Sequence, residues 1–535
     1  MATAPHLADA MNQPAHPCRS GLEAPTIETA GAAAVRYSAT GHLLVVGPSP
    51  EQMEQLQQAD WGGTLTACCA ANATGTADNE AVRTLSGRVV DVQGWLGRFQ
   101  VRAVDRDDQP ISGMSSKGSG HFDLIIDCGP EALLAHSVPP FGYFRVDPDG
   151  DLRPALESAA ALIGNFSKPK YFHYQPEICA HHSFGQTGCT RCLEVCGAAA
   201  IRSSGQKIEV NPYLCQGCGS CTLACPTGAL SFAEPKRATL LESVRQLAAE
   251  KDGNPGPLIV SDQIQDDPAA ASTHLVVAPL TAFGEELWIA ALALGFDQVV
   301  LQSSRALDPL SQDLLETKLA EMRRMLPALG LPETAVVFNG YGDSPTATTE
   351  TATDDRLARS AFESALNTSL PGQTKRELLN AGLAALAKGH NGAEGADLKD
   401  GSALGEIQID PQRCTLCSSC AKLCPTGAID YSEREQAGTA RLTFLEANCV
   451  QCGICASGCP ERAITLAPRL ATAEIRLQRR VVASSPMAEC SDCGAQFAAE
   501  KLLTRTLERL AEHDVPAAAL EQAVRCPRCR AIRIG

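Results

Sequence analysis

The strongest constraint on this chain is a cysteine spacing, Cys-x2-Cys-x2-Cys-x3-Cys, that occurs three times in regular form. In this spacing three thiolates on one tight loop bind one iron-sulfur cube, and the fourth, which begins the next segment, reaches a second cube. A proline follows each fourth cysteine, at Pro226, Pro425 and Pro460, as in bacterial ligand loops for [4Fe-4S] clusters. Structural zinc favours separated Cys-x2-Cys pairs instead. The three regular sets are Cys215, Cys218, Cys221 and Cys225; Cys414, Cys417, Cys420 and Cys424; and Cys449, Cys452, Cys455 and Cys459.

A fourth set has an enlarged first loop. Its members are Cys179, Cys189, Cys192 and Cys196, and the second position follows the first by ten. We predict that Cys179 is a ligand and that Gly185 and Gly188 allow the longer loop to fold back. His181 or His182 is the alternative ligand.

Crossed ligand sets follow from this spacing, because the fourth cysteine of one motif serves the cluster of the neighbouring motif. We therefore predict two modules with four [4Fe-4S] clusters in all. In the first module the sets are Cys179, Cys189 and Cys192 with Cys225, and Cys215, Cys218 and Cys221 with Cys196. In the second module they are Cys414, Cys417 and Cys420 with Cys459, and Cys449, Cys452 and Cys455 with Cys424.

Two further Cys-x2-Cys pairs lie near the carboxyl end, Cys490 with Cys493 and Cys526 with Cys529, and a segment between them should be helical. Four thiolates in two pairs suit tetrahedral zinc, or a single iron as in rubredoxin. We favour zinc, because a helical insert is not typical of rubredoxin; a tail without metal is the remaining alternative. The other cysteines are interpreted as buried or free thiols: Cys18, Cys68, Cys69 and Cys128.

Composition narrows the class of partner. The 535 residues include 45 Lys or Arg and 61 Asp or Glu, for a formal charge of -16. Because the chain is acidic and has no dense basic block, we do not expect nucleic acid as a partner. An acidic surface favours docking on a basic patch of a redox protein, and it also has the simpler explanation that it keeps the protein in solution. The sequence contains no run of about 18 apolar residues, so we expect no membrane span. The 24 cysteines in short repeats, with no export signal, indicate a reducing compartment, so we expect a cytoplasmic location.

The region before the first cysteine motif predicts an α/β domain. Its strand-like runs are His42 to Val46, Leu65 to Cys69 and Phe122 to Asp127, with a hairpin from Arg88 to Asp105. The turn after the first run, 47–50, reads Gly-Pro-Ser-Pro. It lacks the Gly-x-Gly-x-x-Gly fingerprint, and its prolines lack amide donors for a pyrophosphate.

Two stretches of this region, 90–101 and 122–129, resemble the hairpin and last strand of the flavoprotein subunit of heterodisulfide reductase and of related flavoproteins. The resemblance implies a flavin-type fold. Without the glycine fingerprint, we interpret it as a degenerate domain that serves as scaffold or docking surface, and we do not expect a bound flavin.

A second α/β domain is predicted between the two cysteine-rich regions, with helices at Glu285 to Leu294 and Pro309 to Met325. Its residues 257–340 resemble the delta subunit of methyl-viologen-reducing hydrogenase, in which cysteines of this domain bind a [2Fe-2S] cluster. No cysteine occurs between Cys225 and Cys414, so no cluster is assigned here. Its short buried strands are predicted at Pro257 to Val260, His274 to Val277, Gln298 to Leu301 and Ala335 to Phe338.

The expected fold class is a multidomain α/β plus α+β chain with two bacterial ferredoxin-like 2[4Fe-4S] modules, two small α/β domains and zinc-ribbon-like knuckles. Stretches rich in Thr, Gly or Asp, Tyr341 to Asp355 and Gly389 to Ser402, predict flexible linkers that permit a hinge. The expected boundaries are a flexible tail at 1–40, the flavin-type domain at 41–165, module 1 at 166–235, the hydrogenase delta-like domain at 255–342, a linker with helices at 343–404, module 2 at 405–468 and the knuckles at 485–535.

As a whole, the arrangement resembles the polyferredoxin-like 4Fe-4S proteins encoded beside bacterial molybdenum formate dehydrogenases. The resemblance implies a protein that relays single electrons between a redox enzyme, such as formate dehydrogenase or a hydrogenase-type enzyme, and another carrier. The sequence contains no recognisable catalytic residue set. Two alternatives stay open: an assembly or maturation factor for a metalloenzyme, and a flavin-containing oxidoreductase subunit.

Overall fold

A computed structural model gives a mixed α/β architecture in which helices and sheets alternate with cysteine-bearing loops. Among the described residues, no helix combines the length and apolar character needed to cross a membrane. The structure describes residues 34–69, 82–111, 121–250, 256–263, 273–341, 356–368, 374–389, 395–434, 438–513 and 515–534.

The amino-terminal domain is built on a five-stranded parallel sheet, and an antiparallel three-stranded sheet packs beside it. The parallel strands follow the order third, second, first, fourth, fifth, which is the order of doubly wound nucleotide-binding folds. The strand predicted at His42 to Val46 is confirmed. The elements are β1 Ala34–Ala39, β2 His42–Val46, α1 Pro50–Gln58, β3 Thr64–Cys69, β4 Val82–Ser86, β5 Arg88–Gln93, β6 Phe99–Val104, β7 His121–Phe122, β8 Leu124–Asp127, β9 Tyr143–Arg145, α2 Arg153–Ala160 and β10 Gly164–Pro169.

The predicted flexible tail at 1–40 is wrong in its last part. Residues 34–39 form β1, which pairs antiparallel with β10, so that Ala34 lies opposite Pro169 and Ala39 opposite Gly164. Alternate residues of β1 are buried, including Tyr37, and this alternation is the pattern of a strand with one face in the core. Residues 1–33 of the predicted tail lie outside the described residues.

Module 1 consists of short antiparallel strand pairs around the first cysteine-rich region. β11 pairs with β16, β12 with β13 and β14 with β15. The elements are β11 Phe172–Tyr174, β12 His182–Ser183, β13 Gln186–Thr187, α3 Arg191–Glu194, β14 Ile201–Ser203, β15 Ile208–Val210, α4 Ser220–Ala224 and β16 Leu230–Phe232.

The central domain has a parallel four-stranded sheet in the order β18, β17, β19, β20. Every residue of α6 is buried, including Trp288, so this helix is enclosed on all sides rather than amphipathic. The elements are α5 Arg237–Ala249, β17 Pro257–Ser261, β18 Thr273–Val276, α6 Glu285–Ala293, β19 Gln298–Gln302, α7 Pro309–Met325, β20 Val336–Asn339, α8 Arg356–Thr368 and α9 Lys375–Gly389.

Module 2 and the carboxyl-terminal knuckles share one antiparallel sheet in the order β23, β24, β26, β27. β26 begins in module 2 and ends at Glu489, next to the first knuckle cysteine. The elements are β21 Gly395–Asp397, β22 Gly405–Ile409, α10 Ser419–Leu423, β23 Ile429–Arg434, β24 Thr439–Phe444, α11 Ile454–Ser457, β25 Ile464–Ala471, α12 Ala473–Leu477, β26 Arg480–Glu489, β27 Gln496–Ala499, α13 Glu500–Glu512, α14 Ala517–Ala523 and α15 Pro527–Ile534.

The predicted linker from Gly389 to Ser402 is wrong over its second half. β21 pairs with β25, and Ser402 is buried with its hydroxyl donating to Glu321 of the central domain. A segment held by a strand ladder and a buried side chain is not a hinge. The other predicted linker, Tyr341 to Asp355, lies outside the described residues from 342 onward.

Helix α9 begins with two buried cations that reach both modules. The Lys375 ammonium donates to the carbonyls of Thr222 and Leu223 in module 1, at 3.0 and 2.7 Å. The Arg376 guanidinium donates to the carbonyls of Ala447, at 2.8 Å, and Cys449 in module 2. Both side chains are almost fully buried, so these bonds supply the polar partners that burial requires. We name this pair the Lys375–Arg376 clamp.

The clamp is neutralised by acidic residues of the central domain. Lys375 lies 3.8 Å from a Glu285 oxygen and 3.7 Å from a Glu286 oxygen, and Lys318 lies 2.7 Å from Glu285. Burial opposes ionisation of Glu285, but Lys318 and Lys375 outweigh it and hold the pKa of this carboxyl below its usual value. The central domain and the modules are therefore joined through buried charge.

The clamp gives a stability prediction. We expect Lys375→Met to lower the free energy of local unfolding around α4 and α9 by about 3–5 kcal/mol, because it leaves Glu286 and two carbonyls without their buried partner. Hydrogen exchange of the full chain, followed by mass spectrometry, measures this change. The control is Lys388→Met, an exposed lysine of the same helix, which should change it by less than about 0.5 kcal/mol. Equal protection in the two variants would contradict the role of the clamp.

Candidate functional site

The regular cysteine loops share one backbone conformation. In each motif the residue before the second cysteine and the residue after it are left-handed. Consecutive turns of this kind curl the chain into a concave nest of amides that suits an anion such as a thiolate-bound cluster. The pairs are Gly217 with Gly219, Leu416 with Ser418, and Gln451 with Gly453.

A second shared feature covers all four motifs, including the irregular one. The third residue after each fourth cysteine is left-handed: Ala199, Gly228, Gly427 and Arg462. Two of these positions are not glycine, although a left-handed backbone strains a residue with a side chain. The internal repeat is therefore one of backbone geometry as well as of sequence.

The enlarged loop of the irregular motif is a β-hairpin. β12 and β13 pair across a turn with Phe184 and Gly185 both left-handed, and the Cys189 amide donates to the Ala180 carbonyl at 2.9 Å. This ladder returns the chain to its starting point, so that Cys179 lies beside Cys189 despite their separation in sequence.

Histidine ligation in this loop has little support from the geometry. The Nδ1 of His181 lies 2.9 Å from the Cys189 carbonyl oxygen, and its Nε2 lies 2.8 Å from the Ser203 hydroxyl. Both ring nitrogens are thus engaged. His182 lies in β12 and is half-buried. These contacts give His181 a positioning role next to the cysteines.

The structure brings the cysteines of each crossed set together. A small pocket marks each of two sets, one lined by Cys179, Cys189, Cys192 and Cys225 and the other by Cys424, Cys449, Cys452 and Cys455. In each of the other two sets, burial and the charges of three neighbouring thiols raise the pKa of one cysteine. In module 1 this cysteine is Cys221, and its neighbours are Cys215, Cys218 and Cys196. In module 2 it is Cys420, whose pKa rises to about 12, and its neighbours are Cys414, Cys417 and Cys459.

Four thiols crowded in a buried space are poor anions by themselves, because burial and like charges both oppose ionisation. A bound metal removes this penalty and takes the thiolate form. The donor set at each position fits a [4Fe-4S] cluster, since four cysteine sulfurs face one site.

Donors to sulfur recur at equivalent positions of the two modules. The Ala200 amide donates to the Cys196 sulfur and the Ala463 amide to the Cys459 sulfur, both at 3.3 Å. Cys225 and Cys424 each lie 3.6 Å from the hydroxyl of the threonine two residues on. Hydrogen bonds to ligand sulfur withdraw negative charge and raise the reduction potential of a bound cluster.

The flanking domains contact one cysteine loop in each module, and we name these two loops, Cys215 to Cys221 and Cys414 to Cys420, the outer loops. In module 1, Lys168 from β10 donates to the Cys215 carbonyl at 2.6 Å, and Trp95 stacks on Tyr213 with ring centroids 4.5 Å apart. In module 2, Lys501 from α13 donates to the Pro411 carbonyl at 2.9 Å. Each outer loop is thus held by a lysine from a neighbouring domain.

The knuckle cysteines also converge. The sulfurs of Cys490, Cys493, Cys526 and Cys529 all lie within 4.8 Å of one another. The Cys526 amide donates to the Cys490 sulfur at 3.2 Å and lowers the pKa of that thiol to about 6, so Cys490 favours the metal-binding thiolate form. The helices α13 and α14 between the pairs agree with the predicted helical insert. This group can bind a metal ion.

The remaining cysteines lie apart from these groups. Cys68, Cys69 and Cys128 are buried free thiols in the amino-terminal domain, as the sequence predicted, and burial raises the pKa of Cys128 to about 12. Cys18 lies outside the described residues.

Sequence reasoning missed the cations that hold the cysteine loops. Lys375 and Arg376 carry no motif signal, and Lys168 lies in an ordinary strand eleven positions before the first ligand cysteine, Cys179. Arg191 lies between two ligand cysteines, and this position alone could have drawn attention to it.

Comparison with known proteins supports iron-sulfur ferredoxin-type domains in both cysteine-rich regions. Residues 413–463 match a family described as a 4Fe-4S dicluster domain, and residues 208–231 match a 4Fe-4S binding domain. An uncharacterized ferredoxin of Methanocaldococcus jannaschii is 39% identical over 57 residues, which cover 11% of this chain and 31% of the relative. The matched part thus spans about a third of the length of that relative.

The crossed arrangement predicts how double variants behave. We expect Cys225→Ser to lower bound iron by about four atoms per chain, because it opens one cubane site. Adding Cys192→Ser should cause little further loss, since both cysteines belong to one set. Adding Cys221→Ser instead should double the loss. Iron analysis after anaerobic purification distinguishes these outcomes.

The control for this series is Cys128→Ser, a buried cysteine outside the sets, which should keep the iron content of the native chain. The opposite order, with the Cys221→Ser addition neutral and the Cys192→Ser addition costly, would mean that each motif holds its own cluster.

Proposed function

We propose that this protein is an iron-sulfur electron carrier that relays single electrons through four [4Fe-4S] clusters between a redox enzyme and a second carrier. The observation that carries the proposal is the convergence of sixteen cysteines into four groups of four. When bound, each cluster supplies a site that accepts and releases one electron. The chain supplies ligands, hydrogen bonds to sulfur and burial.

The order of the four groups supports a relay. In each module the outer group is the crossed set that contains Cys221 or Cys420, and the inner group is the set that contains Cys192 or Cys455. In module 1, Cys221 of the outer group lies within electrostatic range of Cys192 of the inner group. In module 2, Cys455 of the inner group lies within range of Cys420 of the outer group. The two groups of each module are therefore neighbours, which is the arrangement that stepwise transfer needs.

The proposed partner is a redox enzyme such as formate dehydrogenase or a hydrogenase-type enzyme, in the cytoplasm. Two features support it: the resemblance of the overall layout to proteins encoded beside formate dehydrogenases, and the formal charge of -16, which favours docking on a basic surface. Neither nucleic acid nor a membrane is part of the proposal.

At the knuckles we propose a structural zinc ion. The sulfur groups are close enough for tetrahedral binding. One pair follows β26 directly and the other lies at the start of α15, so a metal would join these two elements. The site would therefore stabilise the region that holds the outer loop of module 2, without a redox role.

A flavin-containing subunit is the second candidate, favoured by the strand order of the amino-terminal sheet. The turn at the start of α1 weighs against it. Ser49 caps this helix by accepting from the Gln52 amide, and Gln52 in turn accepts from the Ser49 amide. These are amides that a pyrophosphate would use. Flavin analysis of the purified protein decides between the two candidates.

Metal analysis tests the proposed function. Anaerobically purified protein should contain about sixteen irons per chain with matching sulfide, and the dithionite-reduced protein should give EPR spectra of spin-coupled [4Fe-4S] clusters. About eight irons or fewer, under conditions that preserve clusters, would contradict the four-cluster relay.

The knuckle site predicts a selective effect on zinc. Cys529→Ser should reduce bound zinc from about one ion per chain to well below one, because a structural site needs four ligands, while the iron content stays unchanged. Plasma emission spectrometry measures both metals, and Cys69→Ser serves as the control outside the site. Iron rather than zinc at this site would show a rubredoxin-like centre.

A further inference from the structure

The enlarged loop of module 1 lies against module 2. β13 of the hairpin contacts α11, the short helix that follows Cys452. A methyl group added at Gly188 would come within 2.6 Å of the Ile454 side chain, so the two loops are in close contact at this point. The hairpin that enlarges the irregular motif therefore contacts module 2.

Arg191 links the two loops at their cysteines. Its Nη1 donates to the Val450 carbonyl of module 2 at 3.2 Å and lies 3.7 Å from the Cys189 sulfur of module 1. Its Nη2 donates to the carbonyls of Gly401 and Ser402, at 3.0 and 3.1 Å. One planar guanidinium thus bonds both sides of the contact, a geometry that its fixed fork of donors allows.

Cys189 and Cys452 lie close to this contact on its two sides. Arg191, two residues after Cys189, donates to the carbonyl of Val450, two residues before Cys452, and Ile454, two residues after Cys452, lies against the hairpin. The inner cysteine groups of the two modules are therefore neighbours, as the inner and outer groups are within each module.

We propose that the hairpin between Cys179 and Cys189, fastened by Arg191, is a fixed junction through which the two modules exchange electrons directly. The inference rests on the proposed function and extends it, because it joins two separate pairs of sites into one line of four. Arg191 is a positioning residue in this junction.

The exchange is a one-electron step. The site that gives up the electron is oxidised by one unit and the site that receives it is reduced by one unit, while no bond forms and no proton moves. The electron originates from the redox enzyme of the proposed function. The guanidinium beside the Cys189 sulfur also favours the reduced state of that site through its positive charge.

The test isolates the junction within the full-length chain. Cys221→Ser and Cys417→Ser together open the two outer sites, which leaves only the inner site of each module. Any magnetic coupling in the EPR spectrum of the reduced protein then arises across the junction. We expect a coupled spectrum with Arg191 in place, its loss in Arg191→Gln, and its retention in Arg202→Gln, an exposed arginine of the same module.

Iron content separates this inference from the proposed function. About eight irons per chain with two uncoupled signals, when Arg191 is present, would overturn the junction and leave the carrier function intact. Loss of iron from the native chain would overturn both. Coupling unchanged in Arg191→Gln would overturn the role of Arg191.

Hydrogen exchange provides a second measurement that does not depend on the outer-site variants. In the chain with all its cysteines, Arg191→Gln should increase exchange in both segments of the contact, 180–189 and 450–454. Arg191→Lys keeps the positive charge but loses the planar set of donors of the guanidinium. Compared with Arg191→Gln, it should therefore restore the reduction potential of the Cys189 site more fully than the protection of the two segments against hydrogen exchange. No change in either segment would overturn the junction.

Discussion

The arrangement of the cysteine loops depends on the Lys375–Arg376 clamp. Two adjacent cations at the start of one helix are buried and donate to backbone carbonyls of both modules. Burying a charge is costly unless each of its donors has a hydrogen-bond partner. The carbonyls of both modules must therefore lie within hydrogen-bonding distance of these two side chains. The clamp therefore ties the start of α9 to both modules.

The four cysteine motifs of the two modules share the same local backbone features. Each motif ends with a left-handed residue three positions after its last cysteine, and the same kinds of donor reach sulfur in both modules. The two flanking domains differ in fold, but each contributes one lysine to an outer loop. Lys168 donates to a carbonyl within the loop of module 1, and Lys501 donates to a carbonyl just before the loop of module 2. The amino-terminal domain and the knuckle region thus each contact one outer loop through a lysine.

Some features were accessible to sequence reasoning because they are local. Strands of the central domain are short apolar runs bounded by turn residues, and α7 was predicted with its observed ends, Pro309 and Met325. Other features depend on partners that are distant in the chain. β1 resembled a tail because its partner, β10, lies more than a hundred residues later, and residues 395–397 resembled a linker because β25 supplies their ladder.

By itself, the sequence determined the cysteine spacing, and with it the ligand chemistry and the number of candidate sites, since spacing on a tight loop fixes which sulfurs can share a metal. Only the tertiary structure decided that the two modules touch, that Arg191 bonds both, and that an irregular ten-residue interval is a hairpin at their contact. The reason is physical: a ligand loop is specified by neighbours a few residues apart, whereas a contact between modules arises from burial and hydrogen bonds among residues more than two hundred positions apart.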